Sequence, residues 1–288
     1  MIGIARSCLI DETDFTLLIT KNVYAFDSAT IDLCLNIFLW ASFRKEKAVI
    51  KIQPIYDFKT SIPAFVHITE GKVYDVNSLD ILTYESGGFY IMDKAYVDFK
   101  RLFTINLSMA LYVIRAKENF NFKRISYVKS DKTNGIICDQ IVKLKRVKSS
   151  SFYPVVLRSI KYFDKEQQRT FVFLTNNITQ PALDIAMLYK FRWRLELYFK
   201  WIKQHLKIKS FWGTTIHAVK TQVYIAIITY TLVAVIKSQL KINRSTYEML
   251  QIISASLFDK THLNELLKSP VCKNVKEQKC KQLKIELI

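Results

Sequence analysis

Short apolar runs separated by polar, turn-forming residues recur along the first 117 residues of the chain. Short runs with alternating or continuous apolar character predict strands, and longer runs with a period near 3.6 predict helices. The elements predicted in this way are strands at 21–27, 48–56, 62–69, 89–93 and 111–117, and helices at 76–85 and 96–110. Two of the strands end on a carboxylate, because four apolar residues precede both Asp27 and Asp93. This mixture of strands and helices predicts an α/β fold.

Residues 118–178 show a different pattern, in which alternating strand-like runs follow one another without helices between them. Turn-forming groups at 133–135, 149–151 and 164–168 separate the runs. The strands predicted here are 122–128, 136–147, 155–163 and 170–174. We therefore predict an antiparallel β-insertion. Four of its basic side chains lie close together, and both a solvated strand face and a DNA-facing edge fit them: Lys143, Lys145, Arg146 and Lys148.

The stretch 179–209 predicts one long helix. Thr179 is a suitable N-cap, Pro181 lies where a missing N–H does no harm, and Asp184 suits the positive helix end. At about 100° per residue, several apolar side chains share a face that can pack on a core. A polar stripe occupies another arc of roughly 60°, and its members are Tyr189, Arg192, Glu196 and Lys203. For an arbitrary helix, an ion pair between Arg192 and Glu196 on a solvated face explains such a stripe.

Residues 214–240 form the most apolar stretch of the chain. Between Lys220 and Lys237 it offers sixteen residues, whereas a membrane span needs about 20 predominantly apolar residues. We therefore predict a buried core helix here rather than a transmembrane segment. A last packed helix is predicted at 247–258. The remaining residues, 261–288, predict a basic tail with six lysines from Lys268 onward.

The formal net charge of +18 narrows the choice of partner. A globular chain this basic favours a polyanion, either nucleic acid or an anionic membrane. Half of the residues are hydrophobic, which is enough for a sizeable core. The five cysteines and four histidines are scattered without the spacing of a zinc site, and free thiols in a reducing cytoplasm explain the cysteines. No signal peptide is predicted, since charged residues interrupt the apolar residues near Met1.

The polar stripe of the predicted long helix has a specific spacing, Tyr-x2-Arg-x3-Glu-x6-Lys, carried by Tyr189, Arg192, Glu196 and Lys203. This spacing resembles the signature of insertion-sequence DDE transposases, in the group named for its Tyr-Arg-Glu-Lys (YREK) pattern. The surrounding Arg-Trp-x-x-Glu and Phe-Lys-Trp-Ile-Lys are also typical of that group, and the resemblance extends from 23 to 258. It implies a ribonuclease-H-like mixed sheet flanked by helices, with the β-insertion between the second and third catalytic carboxylates.

The resemblance also implies a metal site built from three carboxylates. Glu196 corresponds to the third of them, and Asp27 and Asp93 correspond to the first two, in motifs that the family writes Asp-x-x-Thr and Asp-Arg-Gly-Tyr. The second motif reads Asp-Lys-Ala-Tyr here, and alanine has less conformational freedom than glycine. Considered alone, Asp27 also fits a turn-forming residue after a strand. The side chains expected to face DNA are Tyr189, Arg192, Lys200, Lys203 and Lys207.

Three carboxylates on separate elements suit the cutting and joining of phosphodiesters. Two divalent ions about 3.5–4 Å apart supply a nucleophilic oxygen, charge relief at phosphorus and a stabilised leaving oxygen. Clustered carboxylates are the ligands that Mg²⁺ or Mn²⁺ prefers. We expect Asp27 to bridge both ions, and Asp93 and Glu196 to complete one ion each. The expected activity is metal-dependent DNA cleavage and strand transfer at insertion-sequence ends.

The implied partners are the terminal repeats of an insertion sequence, target DNA and a second copy of the chain in a synaptic homodimer. The expected location is the prokaryotic cytoplasm, at the nucleoid. Four other functions remain open: another ribonuclease-H-like nuclease, a DNA-binding protein that has lost catalysis, an anionic-membrane protein and a purely structural protein. The full YREK spacing argues against the first of these, and the short apolar stretch argues against the third.

The predicted organisation is a catalytic core in two parts, 1–117 and 179–260, with the insertion at 118–178 and the basic tail at 261–288. Transposases of this resemblance usually carry a separate helical region before the first catalytic aspartate. Asp27 lies only 26 residues from Met1, whereas domains have about 50 residues or more. We therefore also expect an N-terminally shortened copy.

Overall fold

The computed structural model describes Leu9 and residues 21–43, 47–118, 120–129, 134–206, 208 and 210–268. In this part of the chain the strands join into one mixed sheet. They are β1 (Val23–Phe26), β2 (Ala29–Leu33), β3 (Ser42–Phe43), β4 (Lys47–Asp57), β5 (Ile62–Glu70), β6 (Phe89–Met92), β7 (Leu111–Arg115), β8 (Phe122–Tyr127), β9 (Ile136–Leu144), β10 (Leu157–Asp164) and β11 (Arg169–Thr175). Three predictions concern residues outside those described: the shortened start of the chain, Lys207 and the lysine tail beyond Lys268.

The centre of the sheet has the strand order β5-β4-β1-β6-β7. β4 pairs antiparallel with β1 and β5, whereas β1, β6 and β7 run parallel to one another. Short loops allow antiparallel neighbours, and the parallel strands follow longer crossover connections. Three antiparallel strands followed by two parallel ones form a ribonuclease-H-like sheet. The predicted fold class is confirmed, as are the five strands predicted in the first 117 residues.

Helices cover both faces of this sheet. They are α1 (Phe99–Leu107), α2 (Val147–Phe152), α3 (Ala182–Lys190), α4 (Trp193–His205), α5 (Ile216–Gln239), α6 (Thr246–Ala255) and α7 (Leu263–Lys268). On one face, α3, α4 and α5 contribute Ile185, Leu195 and Val223 to a buried core. On the other face, Leu102 of α1 packs in a second core with Tyr112 of β7. A core on each side of a sheet is the layered arrangement of an α/β domain.

The β-insertion continues the central sheet. β8 to β11 form an antiparallel meander, and β11 pairs antiparallel with β7, with Phe173 opposite Arg115. The four strands predicted in the insertion are confirmed. The turn predicted at 149–151 is wrong, because these serines lie in α2, where the Ser150 hydroxyl bonds to the Val147 carbonyl within the helix. Serine side chains form hydrogen bonds to the main chain both in turns and in helices, so a run of serines does not distinguish a turn from a short helix.

Two helices of the first half differ from their predicted bounds. The helix predicted at 76–85 is wrong in type and length, because the chain forms a 3₁₀ helix at Asp75–Ile81. The helix predicted at 96–110 shortens to α1, since the Asp98 side chain accepts a 3.1 Å hydrogen bond from the Arg101 N–H and caps the helix there. A separate 3₁₀ turn, Lys94–Tyr96, precedes it. Tight turns of this kind are common connectors, and apolar spacing does not distinguish them from an α-helix.

The single long helix predicted from Thr179 is wrong, because the chain forms two helices, α3 and α4. The side chain of Asn177 accepts a 2.9 Å hydrogen bond from the Thr179 N–H, so Thr179 lies in a turn and Pro181 takes the N-cap position. At the junction of the helices, the Arg192 N–H bonds to the carbonyl of Tyr189, three residues earlier. This 3₁₀-type tightening ends α3 and begins α4.

Helix α5 spans 24 residues and, by length and composition alone, could cross a membrane. Its inner face is buried, with Val219 and Val223 in the core and the ring of Tyr230 5.0 Å from that of Tyr198. Its outer face is exposed and includes Ile225. The predicted core helix is therefore confirmed for the inner face only. The last predicted helix is confirmed as α6, which a reciprocal capping box starts.

Candidate active site

Asp27 and Asp93 meet at one edge of the sheet. They directly follow the buried strands β1 and β6, which are parallel neighbours with Phe26 opposite Met92. The carboxyl ends of parallel strands open at the same edge, and sites in α/β sheets form there. The strand pairing therefore explains why two aspartates far apart in sequence lie side by side.

The junction between α3 and α4 brings the helix residues to this edge. The Tyr189 hydroxyl donates a 3.0 Å hydrogen bond to Oδ1 of Asp93. Arg192 donates from Nη1 to Oδ2 of Asp27 and from Nη2 to Oε1 of Glu196, the latter at 2.5 Å. Hydrogen bonds therefore join Asp27, Arg192 and Glu196 in one set and Tyr189 and Asp93 in another, and the guanidinium carbon of Arg192 lies 5.8 Å from the centroid of the Tyr189 ring. We call these five residues the network. The ion pair between Arg192 and Glu196 exists, but it is attached to Asp27 and does not stand alone on a solvated face.

The side chains of the network differ in how far they are exposed to solvent. The side chains of Asp27 and Arg192 are 21% and 18% exposed, whereas that of Glu196 is 57% exposed. Burial raises the pKa of the Asp27 carboxyl, the charge of Arg192 opposes this shift, and the charges of Asp93 and Glu196 add to it. Burial also raises the pKa of Tyr189, so its hydroxyl remains protonated and donates to Asp93. The acids of the site are therefore only partly neutralised by Arg192.

The chemistry of this cluster fits a divalent cation. Carboxylate oxygens are hard ligands of the kind that Mg²⁺ and Mn²⁺ prefer. Three buried polar atoms in or beside the network have no hydrogen-bond partner among the described residues, namely Ser28 Oγ, Tyr96 Oη and Arg192 Nε. Unpaired buried atoms of this kind call for a further partner such as a bound ion, its water or a ligand.

The carboxylates are not arranged around a single point in this structure. Among the described residues, no three Asp, Glu, His or Cys side chains are grouped so that they could hold one metal ion. The guanidinium of Arg192 explains this spacing, because it lies between Asp27 and Glu196 and bonds to both. The three carboxylates are therefore suitable metal ligands, but two of them, Asp27 and Glu196, are bonded to Arg192 in this structure.

Comparison with known proteins decides the family. A family profile described as "Transposase DDE domain" matches residues 19–232, which is most of the chain. The chain belongs to this transposase family. The protein y4zB of Sinorhizobium fredii, named as a transposase, is 36% identical over 203 residues, which make up 68% of this chain and 56% of that protein. A transposase named for insertion sequence element IS5377 of Geobacillus stearothermophilus is 30% identical over 227 residues, 77% of this chain and 58% of that protein.

A solved structure also aligns with this DDE domain. It is a chain of the piggyBac transposase synaptic complex with hairpin DNA, determined by cryo-EM, with a TM-score of 0.48 and 12% identity. The alignment covers 87% of this chain and 55% of that chain. The chain spans little more than half the length of the curated relatives described above.

The departure from the family's second motif leaves the backbone of this DDE domain unstrained. Ala95 stands where the resemblance to the YREK group implies glycine, and it lies in the 3₁₀ turn Lys94–Tyr96 directly after Asp93. A right-handed turn of this kind is open to any L-residue, so the conformational freedom of glycine is not needed there. The substitution therefore does not disturb the main chain beside the site.

The predicted DNA-facing lysines continue along α4. Lys200 lies one helical turn after Glu196 and is exposed, and Lys203 lies almost two turns after it and is half-buried. Side chains three or four positions apart share a helix face. The lysines therefore extend a basic surface away from the carboxylates of the DDE domain.

Sequence reasoning missed a cavity of about 210 Å³ beside the network. Arg115 and Arg169 lie over one aromatic ring, that of Phe171, with their guanidinium carbons 5.3 and 5.5 Å from its centroid. Tyr189 and Arg192 also line this cavity. The two arginines are the last residue of β7 and the first of β11. Their convergence depends on the pairing of these strands, which residue spacing does not reveal.

Proposed function

We propose that this chain is the catalytic domain of a transposase that cuts DNA at insertion-sequence ends and joins it to target DNA, in a reaction that depends on divalent metal ions. The observation that carries the proposal is the network in which Arg192 and Tyr189 bring Asp27, Asp93 and Glu196 to one edge of the sheet. Membership of the DDE-domain transposase family supports it.

Asp27, Asp93 and Glu196 would hold Mg²⁺ or Mn²⁺, with Asp27 shared between two ions. Bound in pairs, such ions supply an activated oxygen nucleophile and neutralise charge on the phosphate and the leaving oxygen. The protein contributes position and charge. Tyr189 fixes the orientation of Asp93 through its hydroxyl, and Arg192 can change from a carboxylate partner to a phosphate partner, which suits its planar set of donors.

The basic charge of the chain supports DNA as the partner. The net charge is +18, and Lys200 and Lys203 lie beyond Glu196 on the same helix. Lysines beside a cleavage site bind phosphates and set the register of the duplex without reading its sequence. We further propose that two copies of the chain act together on the terminal repeats, at the nucleoid in the prokaryotic cytoplasm.

The decisive experiment measures cleavage of a DNA fragment that contains the borders of the insertion element encoding this chain. We expect cleavage with Mg²⁺ or Mn²⁺, none with EDTA, and loss of cleavage in Asp27→Asn, Asp93→Asn and Glu196→Gln. Asp32→Asn is a matched control, because Asp32 is an exposed acid on β2, outside the network. Cleavage that survives EDTA or all three substitutions would refute the proposal. Salt-sensitive DNA binding without cleavage would instead indicate a DNA-binding protein that has lost catalysis.

A further inference from the structure

Tyr96 is a buried residue whose hydroxyl has no hydrogen-bond partner in the described part of the chain. Its side chain is 1% exposed, and its ring packs edge-on against Phe26, with 4.9 Å between the centroids and 62° between the planes. Phe26 is the residue immediately before Asp27. The main-chain N–H of Tyr96 bonds to the carbonyl of Asp93 at 3.0 Å, so the residue is fixed to the ends of both catalytic strands.

The surroundings of this hydroxyl are acidic. The charges of Asp27, Asp75 and Asp93 act on it, together with that of Arg192, and burial is the main reason why the pKa of Tyr96 is raised. The hydroxyl is therefore a proton donor among carboxylates, yet it bonds to none of them. A buried hydroxyl without a partner destabilises a fold, and the carboxylates around it distinguish that of Tyr96 from buried hydroxyls elsewhere in the core.

The neighbouring acids differ in how far their oxygens are engaged. Asp75 bonds to Lys51 at 3.0 Å and to Gln53 at 3.2 Å. Oδ1 of Asp93 accepts from Tyr189. Asp27 uses both oxygens, because Oδ1 accepts from the Ser28 N–H at 2.8 Å and Oδ2 accepts from Arg192, the side chain whose place a divalent ion would take. Of these three acids, Asp27 is the one that bonds to Arg192, so its hydrogen bonding changes most when the site is loaded.

We propose that Tyr96 is a positioning residue of the metal site, and that its hydroxyl donates a hydrogen bond to the Asp27 carboxylate once a divalent ion replaces Arg192 there. This inference rests on the function proposed above. A carboxylate that binds a metal is held in orientation by further hydrogen bonds, and losing such a bond typically weakens metal binding 10- to 100-fold. Without metal the Tyr96 hydroxyl is therefore unpaired, and its hydrogen bond to Asp27 forms when the metal binds.

The test is Tyr96→Phe, which keeps the ring against Phe26 and removes only the oxygen. Titration calorimetry with Mn²⁺ on the full chain should show affinity about 10- to 100-fold weaker than that of the wild type. Chemical denaturation without metal should show stability equal to or above that of the wild type, because the substitution removes an unpaired buried group.

Two tyrosines provide matched controls. The Tyr198 hydroxyl is also buried without a partner among the described residues, but it faces Tyr56 and Tyr230 in the core, so Tyr198→Phe should leave Mn²⁺ affinity unchanged. The Tyr112 hydroxyl is bonded to that of Tyr153 at 3.0 Å. Tyr112→Phe should therefore lower stability and leave Mn²⁺ affinity unchanged.

The outcomes separate this inference from the function on which it rests. If the wild type binds Mn²⁺ and Tyr96→Phe binds it equally well, the role of Tyr96 is refuted and the proposed function stands. If Tyr96→Phe is clearly less stable without metal, the hydroxyl is bonded in solution and the inference fails. If the wild type binds no Mn²⁺ at all, both the proposed function and the inference fail.

Discussion

The guanidinium of Arg192 bonds to the carboxylate of Asp27 across 165 positions of sequence. The first residue after β1 is thereby attached to the junction of α3 and α4. The contact has an electrostatic consequence, because Asp27 lies among other acids and its burial disfavours the charged form. The positive charge of Arg192 opposes this effect and stabilises the ionised form of Asp27.

The first prediction concerns Arg192→Gln. The substitution removes the charge that opposes repulsion among Asp27, Asp93 and Glu196, so we expect the metal-free protein to lose about 2 kcal/mol of stability. Mn²⁺ should raise the unfolding temperature of this variant more than that of the wild type, because the ion no longer competes with the guanidinium. Thermal unfolding with and without Mn²⁺ measures both effects.

Arg194 is the matched control for this prediction. It lies on the same helix and carries the same charge, but it stacks over the ring of Phe191, with its guanidinium carbon 4.9 Å from the centroid. Arg194→Gln should leave the Mn²⁺-induced rise at its wild-type size. An Arg192→Gln variant whose response to Mn²⁺ equals that of the wild type would contradict competition between Arg192 and the metal.

The second prediction concerns the pH dependence of stability. The pKa of Asp27 is raised in the folded state, so this group stabilises the fold below the unfolded value of about 3.8 and loses that contribution as pH rises through the raised pKa. Asp27→Asn should therefore be more stable than the metal-free wild type at neutral pH, with the gain disappearing below about pH 4. Urea denaturation between pH 3 and pH 8, as an approximate range, tests this.

Asp184→Asn is the control that distinguishes the effect of burial from the effect of metal binding in this second experiment. Its pKa is also raised by burial, but it lies in the first turn of α3, away from the carboxylate network. Asp184→Asn should show a pH-dependent gain of the same sign, and it should keep the stabilisation by Mn²⁺ that Asp27→Asn loses. The prediction would be contradicted if the metal-free wild type were more stable than Asp27→Asn at pH 7. In that case the attraction between Arg192 and the Asp27 carboxylate would exceed the cost of burying the carboxylate.

The strands could be predicted from the sequence because they depend on local apolar runs that end on polar residues. The position of Asp27 and Asp93 is an example, since a carboxylate after a short apolar run predicts the exit of a buried strand. The relation between these residues and Glu196 came from the spacing of the YREK pattern. The structure adds contacts that spacing does not contain, such as the bond between Tyr189 and Asp93.

The helix boundaries could not be predicted as well, because side-chain hydrogen bonds decide them. Asn177 bonds to the Thr179 N–H, so the apparent cap at Thr179 belongs to a turn. The tight turn at Arg192 interrupts a stretch with good helical spacing, because the same residues also bond to acids on distant strands. Tertiary contacts of this kind override local propensity.

The third prediction concerns DNA binding by α4. Replacing Lys203 by Ala should weaken binding to duplex DNA and reduce the log–log salt slope by about 0.9 for each phosphate that the side chain no longer neutralises. Lys200→Ala should act in the same direction. Lys260→Ala, which removes an exposed lysine beyond α6, should change the slope less than either. Fluorescence anisotropy over a series of salt concentrations measures the slopes, and a slope that is the same in all variants would exclude α4 from the DNA-binding surface.

The last prediction concerns Arg158, which forms a buried ion pair between two strands of the insertion and also bonds to the chain just before α3. Arg158 of β10 donates to both carboxylate oxygens of Asp139 at 2.9 and 2.6 Å, with both side chains almost fully buried, and donates to the Gln180 carbonyl just before α3 at 2.5 Å. Removing one partner of such a pair leaves a buried charge, so Arg158→Met should cost about 3–5 kcal/mol of unfolding free energy. Adding Asp139→Leu should recover part of this loss, because the unpaired carboxylate is then removed, although the bond to Gln180 is not restored. Urea denaturation of the two single variants and the double variant measures the coupling. Losses that simply add would mean that Arg158 acts through the carbonyl before α3 and not through Asp139.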